Sequence, residues 1–280
     1  ARRVAVGEFA YPGIHTIAFQ QGLRLVPLTM DENGILPAAF EEECRRNAVD
    51  ALYVTPTIDN PTTATMPESR RFEIAAVARK HGIAVIEDDP YGELSRTAPV
   101  SLAALAPDMT WHVATLSESV TPAMRLAYVV APSPEGAQRL AASLQAMTMM
   151  TSPLIAALAS NWIYSGFIRQ VTAAIREENM ARQELAAHIF SSKTFFSDPC
   201  GPHLWLILPE VWRAADFVHE VERQGVAVLA GSSFASQTPT VEAVRISLGA
   251  APNRENLKRA LSVLRRTLDI LQPGTTRAMV

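Results

Sequence analysis

The chain has 280 residues, a mass of 30.5 kDa, a net charge of −3 and a sequence pI near 6.1. This length allows one large domain or two modest ones, and the slightly acidic balance does not indicate a nucleic-acid-binding surface. Two cysteines, Cys44 and Cys200, are too few for a disulfide framework, so we expect a cytoplasmic protein without a bound metal. No apolar run reaches the roughly 18 residues of a membrane span, so we expect no membrane anchor.

Strand and helix patterns alternate along the first two-thirds of the chain. Ile83–Ile86 is apolar on both faces, as a strand buried between helices requires. The alternation predicts an α/β fold with a mostly parallel, doubly wound sheet. The predicted strands are Val4–Val6, Leu23–Leu28, Asp50–Pro56, Ile83–Ile86, Trp111–Leu116 and Leu126–Val130, and the predicted helices are Gly13–Gln21, Pro37–Asn47 and Pro67–His81.

The pattern changes after Pro132. Two long helical stretches, Pro134–Ser165 and Phe167–Phe190, lead to a smaller α+β module, and we expect the tail Gln272–Val280 to lack fixed structure. The sequence thus predicts a large domain over residues 1–190 and a small C-terminal domain over residues 191–280. In the small domain the predicted strands are His203–Leu208, Val226–Leu229 and Ala243–Leu248, and the predicted helices are Val211–Gln224 and Asn253–Leu271.

The strongest local feature is the segment Ile86–Tyr91, where a buried strand runs into acidic residues and a tyrosine. Ligands of open α/β sheets bind beyond the carboxyl ends of the strands. A carboxylate there could hold a protonated ring nitrogen, and a phenol could donate to a ring oxygen. The alternative interpretation is a helix N-cap in a solvated turn.

Two other polar segments also follow predicted strands. Thr55–Thr63 contains Asn60-Pro61, a common turn dipeptide, so taken alone it favours a structural turn. Thr115–Arg125 combines a cluster of hydroxyls with an arginine, which is a plausible phosphate cradle. A loop whose arginine pairs with a surface acid is equally consistent with that second segment.

Read together, these segments resemble the class I and II aminotransferases, which are pyridoxal-phosphate enzymes of fold type I. The resemblance is strongest to the aminotransferase-like domain of MocR-type regulators in the GntR superfamily. It runs from about Val4 to Leu271, and relative to that family the chain begins at the third strand of the large domain. The matching segments, in order, are Thr55–Thr63, Arg70–Arg71, Ile86–Tyr91, Thr115–Pro132, Gly201–Pro209, Gly225–Phe234 and Val244–Leu248.

The resemblance implies roles for residues around a pyridoxal 5′-phosphate ring. Asp88 matches the acid that keeps the pyridine nitrogen protonated, which makes the ring an electron sink. Tyr91 and Asn60 match the groups that hydrogen-bond the phenolic oxygen of the ring. Tyr11 matches the aromatic residue that stacks on it.

It also implies a phosphate site and a substrate site. Thr115, Ser117 and Arg125 match phosphate ligands of the family. Arg245 matches the arginine that binds a substrate α-carboxylate through a bidentate pair, and Leu229–Phe234 matches a loop that covers the site.

One position breaks the family pattern. Glu118 stands where the family carries the lysine that forms the Schiff base with the cofactor, and a carboxylate cannot form an imine. The chain has three lysines, Lys80, Lys193 and Lys258, and none follows a strand end near the predicted site. We therefore expect no other lysine to replace the missing amine.

Three functions remain open at this point. The first is a catalytically inactive, ligand-sensing and dimerisation module of a regulator, which binds pyridoxal 5′-phosphate non-covalently or not at all. Its expected partners are an amino acid or a small molecule like pyridoxal phosphate and a second copy of the chain, with no membrane and no nucleic-acid contact through this chain. The alternative is an active aminotransferase acting on an amino acid, in which Glu118 is an engineered replacement or the chemistry is atypical. A binding scaffold without cofactor, or a subunit whose site another chain completes, is a third possibility.

Overall fold

The computed structural model describes residues 2–191 and 195–270. In the first part of the chain, the strands are β1 (Arg3–Gly7), β2 (Arg24–Leu28), β3 (Met30–Asp31), β4 (Gly34–Ile35), β5 (Ala51–Val54), β6 (Ala84–Asp89), β7 (Thr110–Thr115) and β8 (Ala127–Val130). The helices between them are α1 (Pro12–Gln21), α2 (Pro37–Arg45), α3 (Glu68–His81) and α4 (Leu102–Leu105).

Three longer helices then lead to a second group of strands. The helices are α5 (Pro134–Thr148), α6 (Pro153–Tyr164) and α7 (Phe167–Ile189). The second group comprises β9 (Phe195–Ser197), β10 (His203–Ile207), α8 (Ala214–Arg223), β11 (Leu229–Ala230), β12 (Ala243–Ser247) and α9 (Arg254–Leu268). Within the described ranges, no helix is both long enough and apolar enough to cross a membrane.

The first sheet has the strand order β2-β1-β5-β6-β7-β8, and every neighbouring pair is parallel except β7 and β8. This arrangement confirms the predicted mostly parallel α/β sheet. Its core contains Leu52 and Val85 on the central strands and Phe40 and Ile74 on the helices, all buried. Because apolar side chains cover both faces, the polar groups of this sheet are concentrated at its carboxyl edge.

The second sheet is antiparallel and has the order β11-β12-β10-β9. Helices α7, α8 and α9 pack against it around buried residues such as Phe190, Phe217 and Leu261. The two sheets meet where Phe9, just after β1, pairs with Ala235 and lies edge-on to Trp205 of β10, with ring centroids 5.2 Å apart. The first sheet is therefore joined to the second beside its carboxyl edge.

Strand β6 is longer than predicted. The sequence places its end at Ile86, but pairing continues through Asp89, which lies opposite Ala114 of β7. Neighbouring strands on both sides supply hydrogen-bond partners at Glu87, which pairs with Val54 and His112. The acidic residues are thus part of the strand, so the solvated-turn interpretation of this segment is wrong.

Two other predicted elements are corrected. The helical stretch Pro134–Ser165 is interrupted at Met149, whose φ of 64° leaves the helical region, and a new helix begins at Pro153. The predicted strand Val226–Leu229 is reduced to a pair at Leu229–Ala230, because the Val226 amide still donates to the Val221 carbonyl at the end of α8. Lys193 and the predicted tail Gln272–Val280 lie outside the described residues.

Arg71 on α3 ties the loop after β5 to the sheet. Its side chain is 1% exposed, and its guanidinium donates to the carbonyl oxygens of Pro56 (2.8 Å) and Met66 (2.9 Å) and to the Thr57 hydroxyl (2.9 Å). The same group lies 3.9 Å from the buried carboxylate of Glu87 on β6. A single buried cation therefore satisfies polar atoms of the loop and of the sheet.

We expect Arg71→Met to lower the free energy of unfolding by about 3–5 kcal/mol, because it leaves buried carbonyl oxygens without their donor and removes the cation that lies beside the buried Glu87 carboxylate. The matched control is Arg79→Met on the same helix, where an exposed arginine pairs with Asp108 and the loss is within about 1 kcal/mol. Urea denaturation followed by circular dichroism measures both. Equal losses in the two variants would show that Arg71 does not have this role.

Candidate functional site

A cavity of about 240 Å³ lies at the carboxyl edge of the first sheet. This volume is a little below the roughly 300–1,000 Å³ typical of small-molecule sites, which suits a ligand with one aromatic ring. Eight of the nine site residues predicted from the sequence line it, and Thr55 and Pro90 complete the wall. The eight are Tyr11, Asn60, Asp88, Tyr91, Thr115, Ser117, Glu118 and Arg125.

Strand topology explains why residues so far apart in sequence share this cavity. Asp88 belongs to β6, Thr115 ends the adjacent β7, and Thr55 follows β5 on the other side. Parallel neighbours end at the same edge, so their last residues and the loops after them converge. Tyr11, which is 49% exposed, precedes α1 and extends the wall from the end of β1.

Asp88 is oriented from within the sheet. The Tyr53 hydroxyl donates to its Oδ2 atom at 2.5 Å. A carboxylate held through one oxygen can still accept a hydrogen bond from a ligand through the other. Burial raises the pKa of Asp88, while Tyr53 and the nearby His112 oppose that shift, so a cationic ligand nitrogen would stabilise the ionised form.

A second part of the cavity lining offers donors for an anion. The hydroxyl oxygens of Thr115 and Ser117 lie 3.0 Å apart, and the Ser117 amide donates to Thr115 Oγ1 at 3.1 Å. Arg125 is exposed, and its guanidinium has no acidic partner in residues 2–191 and 195–270. Two hydroxyls and an unpaired guanidinium are groups that bind phosphate oxygens.

Tyr91 and Asn60 also line the cavity. Tyr91 is 2% exposed, and burial and the Glu118 carboxylate raise the pKa of its phenol. Its hydroxyl therefore stays protonated at neutral pH and can donate. The buried Oδ1 atom of Asn60 lacks a hydrogen-bond partner in the described chain, which is costly unless a ligand supplies one.

Glu118 and Arg245 bring opposite charges to the site. The Glu118 residue is exposed, but the protein around its carboxyl group raises the pKa of that group, and the Arg245 guanidinium opposes the shift. Arg245, the ninth predicted residue, lies outside the cavity lining and reaches Tyr91 and Glu118 from β12. Its Nη1 atom donates to Ser247 at 3.1 Å, and its buried Nε atom has no partner within the described ranges.

His203 joins the second sheet to the loop that carries Asn60. The imidazole is fully buried, its Nε2 atom lies 3.1 Å from the Asp59 carbonyl oxygen, and its ring lies 5.7 Å from that of Tyr91. Burial lowers the pKa of His203 to about 3, so the ring is neutral at physiological pH. A neutral ring can pack beside Tyr91 without placing a second cation next to Arg245.

Sequence analysis missed several residues that support the site. Tyr53 and His203 were not identified, although Tyr53 is a polar aromatic residue in an otherwise aliphatic strand. Glu87 was grouped with Asp88 but points to the opposite face, where it accepts from the amides of Leu102 (2.8 Å) and Ala103 (2.9 Å). The helix-capping interpretation of this acidic segment thus applies to Glu87 and α4, fifteen residues downstream.

The described part of the chain contains no cluster of three or more His, Cys, Asp or Glu side chains placed to hold a metal ion. The polar groups of the cavity are instead distributed as a carboxylate, a phenol and amide, and an anion site. The Asn60 amide can donate through its NH2 group to a ring oxygen and accept from a ring hydroxyl through its unpartnered Oδ1 atom, and the Arg125 guanidinium is unpaired in the described ranges. These residues fit a single-ring ligand that carries a protonated nitrogen, a ring oxygen and a phosphate.

Comparison with known proteins agrees with this chemistry. The profile of the family described as aminotransferase class I and II matches residues 1–264. The chain belongs to the class I and II aminotransferase family.

Among solved structures, kynurenine aminotransferase of Pyrococcus horikoshii is similar with a TM-score of 0.89 and 20% identity, covering 96% of this chain and 69% of that one. LysN, the α-aminoadipate aminotransferase of Thermus thermophilus, has a TM-score of 0.88 and 24% identity, covering 96% and 71%. At these identities the likeness shows the shared fold.

Curated relatives of this aminotransferase-family chain include regulators and enzymes. It is 32% identical over 270 residues to the HTH-type transcriptional regulator YdeF of Bacillus subtilis, covering 96% of this chain and 58% of that protein. It is 32% identical over 178 residues to the HTH-type pyridoxine biosynthesis regulator PdxR of Corynebacterium glutamicum, covering 62% and 38%. It is 26% identical to the 2-aminoadipate transaminase of Thermus thermophilus, covering 89% and 64%. The chain thus spans less than two-thirds of the length of each of these relatives.

The low pKa of His203 predicts an acid-sensitive fold. In the unfolded chain the imidazole binds a proton below about pH 6.5, whereas in the folded chain it does so below about pH 3. The unfolded state therefore gains protons first as the pH falls, and stability decreases with falling pH across that window. We expect the loss from this group to reach about 2 kcal/mol between pH 6.5 and pH 5.

The measurement is urea unfolding of the wild type and of His203→Gln at several pH values between 5 and 7. Burial raises the pKa of Asp59 to about 6, which works in the opposite direction over part of this range, but it does so in both proteins. The difference between the two slopes therefore isolates His203. Parallel pH profiles would contradict a buried, neutral histidine.

Proposed function

We propose that this chain is the ligand-sensing domain of a transcription regulator, an aminotransferase-like module that binds its ligand non-covalently and does not catalyse transamination. Glu118 is the observation that carries the proposal, because it lines the cavity at the position that matches the catalytic lysine of the family. The enzymatic reaction needs an amine that first binds the cofactor and then moves a proton. A carboxylate cannot make that bond.

The described lysines are too poorly placed to substitute for that amine. Lys80 is at the end of α3, is exposed, and pairs with Glu41 at 2.8 Å. Lys258 lies in the first half of α9, which packs against α7 and α8. Neither residue lines the cavity.

The remaining cavity residues support binding of a pyridoxal-phosphate-type ligand. When bound, that group supplies an aromatic ring that can accept electron density. Asp88, oriented by Tyr53, would hold the ring nitrogen, and Tyr91 and Asn60 would bind the ring oxygen. Thr115, Ser117 and Arg125 would bind the phosphate, Tyr11 would stack on the ring, and Arg245 would attract the carboxylate of an amino acid.

The relatives support the regulatory half of the proposal. YdeF and PdxR are both named as HTH-type transcriptional regulators, and the similarity to YdeF extends over 96% of this chain. We include in the proposal that the domain acts as a cytoplasmic homodimer and that DNA is bound elsewhere in the protein. An apolar surface at the junction of α5 and α6 supports pairing, since it exposes Met147, Met149, Met150 and Leu154.

An active aminotransferase is the second candidate. The presence of seven predicted cofactor ligands around one cavity favours it, because a site without any use for a cofactor does not need to keep them together. The two candidates differ in one property that can be measured. An active enzyme of this family must attach the cofactor to the chain through an amine, and a sensor without that amine must release it unchanged.

To test the proposal, the protein is mixed with pyridoxal 5′-phosphate, treated with borohydride, dialysed and weighed by mass spectrometry. We expect reversible binding and no permanent increase in mass for the wild type. In Glu118→Lys, the new amine can condense with the cofactor aldehyde and release water, and borohydride then reduces the C=N bond. We therefore expect that variant to retain one cofactor per chain.

The control is the double variant Glu118→Lys, Arg125→Gln. Because Arg125 supplies the unpaired guanidinium of the anion site, its removal should weaken binding by about tenfold or more and reduce the retained cofactor accordingly. A wild-type chain that itself retains cofactor after borohydride, and that transfers amino groups, would establish the enzymatic alternative instead.

A further inference from the structure

Glu118 lines the cavity together with two groups of candidate ligand contacts. It directly follows Ser117, which belongs to the anion end of the cavity. It is also close enough to Tyr91 for its charge to act on that phenol. The carboxylate therefore lies near both a residue suited to a phosphate and the residue suited to a ring oxygen.

The chemistry of a phosphopyridine ligand places one substituent at that wall, and this step rests on the function proposed above. Around the ring, the carbon that bears the aldehyde or amine lies between the carbon with the oxygen and the carbon with the phosphate arm, opposite the ring nitrogen. If Asp88 binds the nitrogen, Tyr91 the oxygen and Ser117 the phosphate, that substituent faces Glu118. A carboxylate therefore faces the one substituent that differs between the aldehyde and the amine forms of the ligand.

We propose that Glu118 makes this cavity selective for the aminated form of the ligand, pyridoxamine 5′-phosphate, over the aldehyde. A protonated amine donates a charge-assisted hydrogen bond to a carboxylate. An aldehyde oxygen can only accept, so the two acceptors face each other and the aldehyde loses its solvation without gaining a donor.

Arg245 fits the same arrangement. Its guanidinium is close enough to stabilise the ionised form of Glu118, which keeps the carboxylate ready to accept from an amine. A free amino acid would instead bring its own carboxylate to Arg245 and compete with Glu118 for that guanidinium. The site therefore reports the amination state of the phosphopyridine ligand more directly than the presence of an amino acid.

The test measures dissociation constants of the 280-residue protein for three ligands by isothermal titration calorimetry. Pyridoxamine 5′-phosphate carries the amine, pyridoxal 5′-phosphate the aldehyde, and pyridoxine 5′-phosphate a neutral hydroxyl of similar size. We expect pyridoxamine 5′-phosphate to bind about tenfold more tightly than pyridoxine 5′-phosphate, because both can donate to the Glu118 carboxylate but only the amine adds a positive charge to that hydrogen bond. The aldehyde can only accept, so it should bind no more tightly than the hydroxyl compound.

Variants assign the preference to one carboxylate. In Glu118→Gln the tenfold ratio between the dissociation constants of the hydroxyl compound and the amine should fall to about one. Glu135→Gln is the matched control, because Glu135 is a carboxylate in the first turn of α5 that does not line the cavity. It should keep the tenfold ratio. Thermal melting of each variant confirms that it is folded.

The outcomes separate this inference from the function on which it rests. Equal binding of all three ligands by the wild type, or an unchanged preference in Glu118→Gln, would overturn the selectivity while leaving the ligand-sensing domain in place. Failure of all three ligands to bind would overturn both. A preference for the amine that disappears with Glu118 and persists with the Glu135 variant would establish the inference.

Discussion

Parallel pairing of β5, β6 and β7 is the constraint on which the site depends. It brings Thr55, Asp88 and Thr115 to one edge of the sheet, although 60 positions of sequence separate the first from the last. A hydrogen-bond ladder buried on both faces tolerates little slippage, because a shift by one residue would exchange buried aliphatic and polar side chains. Tyr53 shows the same dependence, since its hydroxyl reaches Asp88 across the β5–β6 pair.

Much of this arrangement could be predicted from the sequence because it follows from local patterns. The central strands are aliphatic on both faces, and the polar residues follow their carboxyl ends, so both the sheet type and the grouping of Asp88, Tyr91 and Thr115 follow. The site residues themselves depended on a resemblance that spans seven ordered segments. Their convergence on one cavity agrees with that resemblance, while the role of each residue is still a prediction.

What could not be predicted involves contacts between distant segments or backbone angles at single residues. The bond from Tyr53 to Asp88 and that from His203 to the Asp59 carbonyl join parts of the chain whose proximity no local pattern encodes. The break at Met149 depends on a positive φ at a residue with no strong preference for it. The division between Glu87, which caps α4, and Asp88, which lines the cavity, required the strand register.

The residues that stabilise the fold around the cavity are different from the residue on which the proposed function depends. Arg71, Glu87 and His203 are buried and hold the frame, whereas Glu118 is exposed and makes no hydrogen bond in the described part of the chain. Lysine and glutamate codons differ by a single base. Under the proposed function, a single mutational step at an exposed position would separate a catalyst from a receptor with the same fold.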